Sequence, residues 1–109
     1  MSAYLIADVT VKDDSWLPEY AANVHDIVSK HGGKYLARSA NITTMEGPET
    51  DTNIIALIEF PSVDAAKTFA ADPDYAPYAE ARGAGSLSHF RLIDSTDAAG
   101  AIPYLEKGA

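Results

Sequence analysis

Asn53–Phe60 reads NIIALIEF, and this stretch decides the architecture. Its residues are apolar on both alternating sets, so both sheet faces must be covered there, which places the strand in the middle of a sheet. Working forward, Pro61-Ser62 opens a helix, with Ser62 as its cap and Asp64 in the positively polarised first turn. Val63, Ala66, Phe69 and Ala70 supply the inner face. Asp72-Pro73 breaks this helix, because proline disfavours helical geometry in the residue before it. Helix resumes from about Pro73 to Ala81 and ends at Gly83 and Gly85, and Leu87–Ile93, LSHFRLI, is the next strand. Working backward, the acidic loop Met45–Thr52 with Gly47 and Pro48 joins the central strand to Lys34–Thr44, KYLARSANITT, also a strand. Before that, Leu17, Tyr20, Ala21, Val24, Ile27, Val28 and His31 recur at steps of three and four, the stripe of an amphipathic helix. Ser15 is its expected cap and Gly32-Gly33 its stop. Tyr4–Val11, YLIADVTV, is the opening strand.

The element order is therefore β-α-β-β-α-β. That is the ferredoxin-like plan, an α+β fold with a four-stranded antiparallel sheet and two helices on one face. Residues 1–94 make up this domain, and 95–109 form a C-terminal tail. Within the tail, Ile102-Pro103-Tyr104-Leu105 is apolar between polar flanks. It is expected either to strap onto a partner subunit or to lie unstructured.

The chain has 109 residues, with 47% apolar and 22% charged, which is ordinary globular usage. The absence of cysteine removes disulfides, thiolate nucleophiles, cysteine–zinc sites and iron–sulfur clusters together. A net charge of −8 sets the surface against phosphates, so neither nucleic acid nor an anionic membrane is an expected partner. The N-terminus has no basic leader and no apolar run reaches membrane length, which points to a cytoplasmic protein.

Two helices cover only one face of the sheet. A lone ion beneath them would be costly, which assigns Asp8, Arg38, Glu59, His89 and Arg91 to the far face. They share it with Tyr4, Ile6, Leu36, Ile42, Ile55, Leu57, Leu87 and Ile93. A mostly apolar surface with a few ionisable groups is half of a dimer interface or the wall of a pocket. The hairpin between the second and third strands is expected to set Arg38 opposite Glu59.

The residues YLIADV at 4–9, Tyr20, KHGGKYLAR at 30–38, IEFPS at 58–62, DPDY at 72–75 and Arg82 together resemble the DUF1330 family. The resemblance spans roughly residues 3 to 94. It implies a dimeric α+β barrel in which two sheets face each other across a homodimer, and it implies no established activity. Cofactor-free monooxygenases, muconolactone isomerase-like proteins and haem-dependent enzymes share that fold, so fold alone chooses no function. Ser39-Ala40 stands where glycines often follow the family's arginine.

Two functions stay open. In the first, a homodimer binds a small organic carbonyl, carboxylate or phenolic molecule in a pocket. Arg38 anchors the ligand as a bidentate donor, Glu59 positions Arg38, and Arg91, Tyr75 and Tyr78 line the pocket. His89 with Asp8 then handles a proton in any chemistry that follows. In the second, the dimer is a non-catalytic interaction or regulatory protein, and the same polar residues only fix subunit register. Arg82 is expected to pair with an acid. No cofactor is expected. His25 and His31 lie six residues apart, on different faces of one helix, and with His89 they form no metal-ligand spacing. His31 is expected to stabilise the C-terminus of its helix. A cavity of a few hundred Å³ between sheet and helices, or inside the barrel, separates the two functions: a fully packed interior favours the second.

Overall fold

A computed structural model describes residues 1–102. The elements are β1 (Ala3–Val11), α1 (Leu17–Lys30), β2 (Lys34–Ser39), β3 (Ile54–Phe60), α2 (Val63–Ala70), α3 (Ala76–Gly85) and β4 (Ser86–Asp94). The sheet runs β2-β3-β1-β4 with every pair antiparallel, which is the ferredoxin-like arrangement expected from the element order. The apolar stretch at 54–60 lies inside the sheet, between β2 and β1, as its composition requires.

Two segments differ from expectation. The second helical segment is two separate helices: the break at Asp72-Pro73 leaves a turn, helix resumes only at Ala76, and it runs on to Gly85. β2 stops at Ser39 instead of continuing to Thr44. Ser62 caps α2 as expected, its hydroxyl accepting the Ala65 N–H at 3.0 Å. Ser15 does not cap α1: the cap position belongs to Trp16, and the Ser15 N–H donates to Asp13 Oδ1 at 2.9 Å. The Asp13 side chain forms an Asx turn there, which sets the path of the chain into α1 and moves the cap position one residue on. Gly32 ends α1 with φ +78, a left-handed turn that glycine adopts without strain.

The core lies between α1, α2 and the sheet. Val24 and Val28 from α1, Phe69 from α2, Tyr75, and Ile58 and Phe60 from β3 form one cluster. At its edge Asp72 joins the turn between α2 and α3 to the end of α1. Its Oδ2 lies 2.8 Å from Lys30 Nζ and 2.7 Å from His31 Nε2, and Lys30 also reaches Asp74 at 3.2 Å. His31 thus closes its helix by crossing to another element. The Lys30 ammonium foremost, then His31 and the Asp74 N–H, hold the Asp72 carboxyl well below the usual carboxylate range. A depressed carboxyl stabilises the fold above its unfolded pKa, and that stability is lost as pH falls through the folded value. Asp72→Asn is therefore expected to lower stability at neutral pH and flatten the loss below about pH 4, where the free carboxyl protonates. Urea unfolding at a series of pH values measures this; parallel wild-type and variant profiles would contradict it.

The pairing of β2 with β3 carries the largest departure from expectation. Lys34 faces Glu59 and Tyr35 faces Ile58, but the register then shifts, so that Ala37 faces Leu57 and Arg38 faces Ala56. One residue, Leu36, is extra on β2, and an inserted residue reverses which side every later side chain takes. Arg38 therefore stands on the helix-covered face with Tyr35 and Ala56. Lys34, not Arg38, stands opposite Glu59. A charge is tolerated there because β2 is an edge strand: Arg38 is exposed to solvent and its guanidinium lies 4.6 Å from the centre of the Tyr35 ring. Ile42, expected on the far face of β2, lies beyond the end of that strand.

The far face carries Tyr4, Ile6, Asp8 and Thr10 from β1, Ile55, Leu57 and Glu59 from β3, and Leu87, His89, Arg91 and Ile93 from β4. Leu87 and Ile93 are 52% and 53% exposed and Ile55 is 37% exposed, so this side of the single chain is open, with large apolar side chains set among its ionisable ones. After β4 the chain returns to the N-terminus, where the Ser95 N–H donates to the Ser2 carbonyl at 3.1 Å. The segment expected to strap onto a partner, Ile102–Leu105, falls almost wholly outside the described residues.

Candidate functional site

Between the helix-side face of the sheet and α1 the core is not filled. A cavity of about 400 Å³ remains, within the range of small-molecule sites. Small side chains on the sheet make this room: Ala7 and Ala56 sit side by side in the β1–β3 register where larger residues would reach α1. Val24, Val28 and Phe69 close the cavity on the core side, while the exposed Ala21 and His25 mark where it opens.

The polar groups gather in two places. At one end Tyr20 and Tyr75 share a hydroxyl–hydroxyl hydrogen bond of 2.8 Å. Trp16 packs edge-on against Tyr20 at 5.3 Å, and its Nε1–H donates to the Gly85 carbonyl at 3.3 Å. Gly85 lies so close under the indole that a Cβ there would collide with it. The Arg82 guanidinium lies 4.0 Å from the centre of the Phe90 ring and 5.9 Å from that of Tyr20. At the other end, Arg38 lies over Tyr35, whose ring also stacks on His25 with centres 5.5 Å apart and planes 9° from parallel. Burial pushes the Tyr20 hydroxyl far above the ordinary phenol range, its neighbour Tyr75 adding to this and Arg82 opposing it. Burial also raises Tyr35, with Arg38 pulling the other way. Tyr20 therefore acts as a neutral hydrogen-bonding group, while Tyr35 meets Arg38 and His25 through its ring. Among the described residues the lining holds two guanidinium groups and no carboxylate.

The expected site residues separate into three groups. Arg38 and Tyr75 line the cavity. Tyr78 instead lines a separate hollow outside it, with Asp13, Glu19 and Trp16. Asp8, Glu59, His89 and Arg91 lie on the opposite face of the sheet. Asp8 and His89 are direct cross-strand neighbours, as their roles required. The Asp8 carboxylate, however, accepts the Thr52 hydroxyl at 2.7 Å, and His89 is exposed. The sheet thus stands between Arg38 and the Glu59, His89 and Asp8 side chains. A single constellation of anchor, positioning acid and proton carrier is overturned, and Glu59 does not position Arg38.

Arg82 also departs from expectation: no acid pairs with it among the described residues, and its Nε is shielded from solvent without a hydrogen-bond partner. Sequence reasoning missed Arg82 and Tyr20 as lining residues. One signal was present: Arg82 follows Tyr75 by seven residues, two helical turns, which sets both on one side of α3.

Solved structures share this architecture. A protein of unknown function, RPA0582, from Rhodopseudomonas palustris superposes with a TM-score of 0.75 at 17% identity, over 88% of this chain and 83% of that one. SnoaB, a cofactor-independent oxygenase from Streptomyces nogalater, superposes with a TM-score of 0.62 at 18% identity, over 88% of this chain and 94% of that one. A dimeric protein of unknown function with a ferredoxin-like fold, from Bacteroides fragilis, gives 0.50 at 14% identity, over 85% and 95%. These likenesses show the fold alone. No curated protein matches the chain in sequence. The model of a domain of unknown function, DUF1330, matches residues 2–96, and the chain belongs to that family.

Proposed function

We propose that this protein binds a small organic carbonyl, carboxylate or phenolic compound in the cavity between its sheet and α1, as a homodimer whose sheets pack face to face. The observation that carries the reading is the cavity itself: a void of about 400 Å³ next to a core that is otherwise closed around Phe60, Val24 and Val28. An open cleft beside the core leaves apolar surface against water, so an occupant that covers that surface returns stability on binding. Arg38 and Tyr75 are the ligand-facing members of the set expected from sequence. The exposed Leu87, Ile93 and Ile55 support the dimer, because large apolar side chains on an open sheet face are covered in a stable assembly. On that face Asp8, Glu59, His89 and Arg91 fix the register of the two copies.

Native mass spectrometry of the purified protein tests both halves together. The expected spectrum shows twice the chain mass, with a small molecule retained or with one taken up from an added panel of organic acids and phenols. A dimer that takes up nothing favours a purely structural or regulatory dimer. A monomer at micromolar concentration overturns the face-to-face assembly and leaves the cavity reading to be judged on uptake alone.

A further inference from the structure

We propose that the occupant of the cavity is a hydroxyaryl acid, with its carboxylate at Arg38 and its phenolic oxygen between Arg82 and the Tyr20–Tyr75 hydroxyl pair; this rests on the cavity being a ligand site. Three observations carry it. The first is charge. In a chain of net charge −8, the two formal charges on the described lining with no carboxylate partner are both guanidinium groups. Carboxylates are plentiful elsewhere, so their absence here leaves the cavity selective for an anion.

The second is the supply of donors at the shielded end. Arg82 lays its guanidinium face on the Phe90 ring, which leaves its terminal in-plane N–H groups to donate, and among the described residues no carboxylate takes them. The neighbouring Tyr20 and Tyr75 share one hydrogen bond between two hydroxyls, which leaves one further donor for an oxygen placed beside them.

The third is separation and wetness. Arg38 stands on β2 and Phe90, beneath Arg82, on β4, at opposite edges of the sheet. Three strand spacings of ~4.8 Å put those backbones ~14 Å apart. A flat ring suits a slot between a sheet and a helix, and an acid chain on that ring sets its two oxygens apart, as the two guanidinium groups stand apart. Arg38 is exposed and the Arg82 end is shielded. A carboxylate is far more expensive to desolvate than a neutral phenol, so the carboxylate takes the wet end and the phenol the dry one.

The test uses the full chain, titrated calorimetrically and by amide NMR with 4-hydroxycinnamate, its methyl ester, 4-methoxycinnamate and benzene. The acid is expected to bind in the cavity and to shift amides of α1 and α3. The methyl ester and the methoxy acid are each expected to bind roughly 10- to 100-fold more weakly, the range for one charge-assisted hydrogen bond. Arg38→Gln is expected to abolish the preference for acid over ester, and Arg82→Gln the preference for hydroxyl over methoxyl. Where Arg82→Gln fails to fold, the wild-type comparison of the four probes decides alone. Equal binding of acid, ester and methoxy acid overturns the hydroxyaryl acid while the ligand site stands. Binding of benzene without the acid does the same. Failure of all four overturns the hydroxyaryl acid, and the ligand site itself then stands or falls on uptake from the wider panel of organic acids and phenols.

Discussion

Replacing Phe60 by alanine is expected to cost about 3–5 kcal/mol of folding stability, the range for a buried aromatic truncated in a core. Phe60 is 0% exposed, and it stands where three parts of the fold meet. Its ring packs 5.5 Å from that of Phe69 on α2, within the same cluster as Val24 and Val28 of α1. The Gly33 backbone approaches it so closely that a Cβ at Gly33 would stand 2.7 Å from the ring and 2.6 Å from Val28. The turn after α1 therefore cannot move in to fill the space that alanine would leave without collapsing onto Val28. Urea unfolding of Phe60→Ala measures the loss. A loss below about 1 kcal/mol would mean that the site relaxes freely, contrary to a close-packed cluster. Gly33→Ala is expected to destabilise by overpacking the same junction, so the two variants bracket one packing contact from opposite sides.

Phe60 also shows why so much of the fold was legible. Its stretch, NIIALIEF, is apolar on both alternating sets, and a strand of that kind belongs inside a sheet. The glycine pair at 32–33 and the Asp72-Pro73 break marked two chain reversals through backbone chemistry alone. The side-chain alternation of β1, β3 and β4 assigned every residue of those strands to its face. The candidate site was less legible, and one residue explains most of the difference. In Tyr35-Leu36-Ala37-Arg38 nothing in composition marks Leu36 as an extra residue, since strict alternation would put Leu36 and Arg38 together on the far face. The bulge there is set by pairing with β3, a tertiary choice. It moved Arg38 into the cavity and dissolved the pairing with Glu59. The cavity was illegible for a related reason. It depends on Ala7 and Ala56 coinciding across two strands distant in sequence, a register property that no local pattern encodes. Tyr75, placed by the helix break, was found; Arg82, two turns further on, was read as half of an ion pair because an arginine near a core usually has one.

The far face offers the sharpest test of the proposed assembly, because it sits apart from the cavity. Leu57 lies near its middle, paired with Ile6 on one side and Ala37 on the other. If two sheets pack face to face, a glutamate at this position enters the dry centre of the interface in both copies at once. Two carboxylates that approach each other without partners repel, and each loses hydration, at several kcal/mol per ion. Leu57→Glu is therefore expected to convert the dimer to monomer at micromolar concentration in analytical ultracentrifugation. In the single chain Leu57 is already half-buried at an open face, so the glutamate reaches water and the monomer remains folded by circular dichroism. The cavity lies on the other side of the sheet, so a folded monomer that still binds 4-hydroxycinnamate would separate assembly from ligand binding. A Leu57→Glu protein that stays dimeric would place the interface elsewhere, and the ionisable residues of this face, Asp8, Glu59, His89 and Arg91, would then face solvent and lose the role of fixing register.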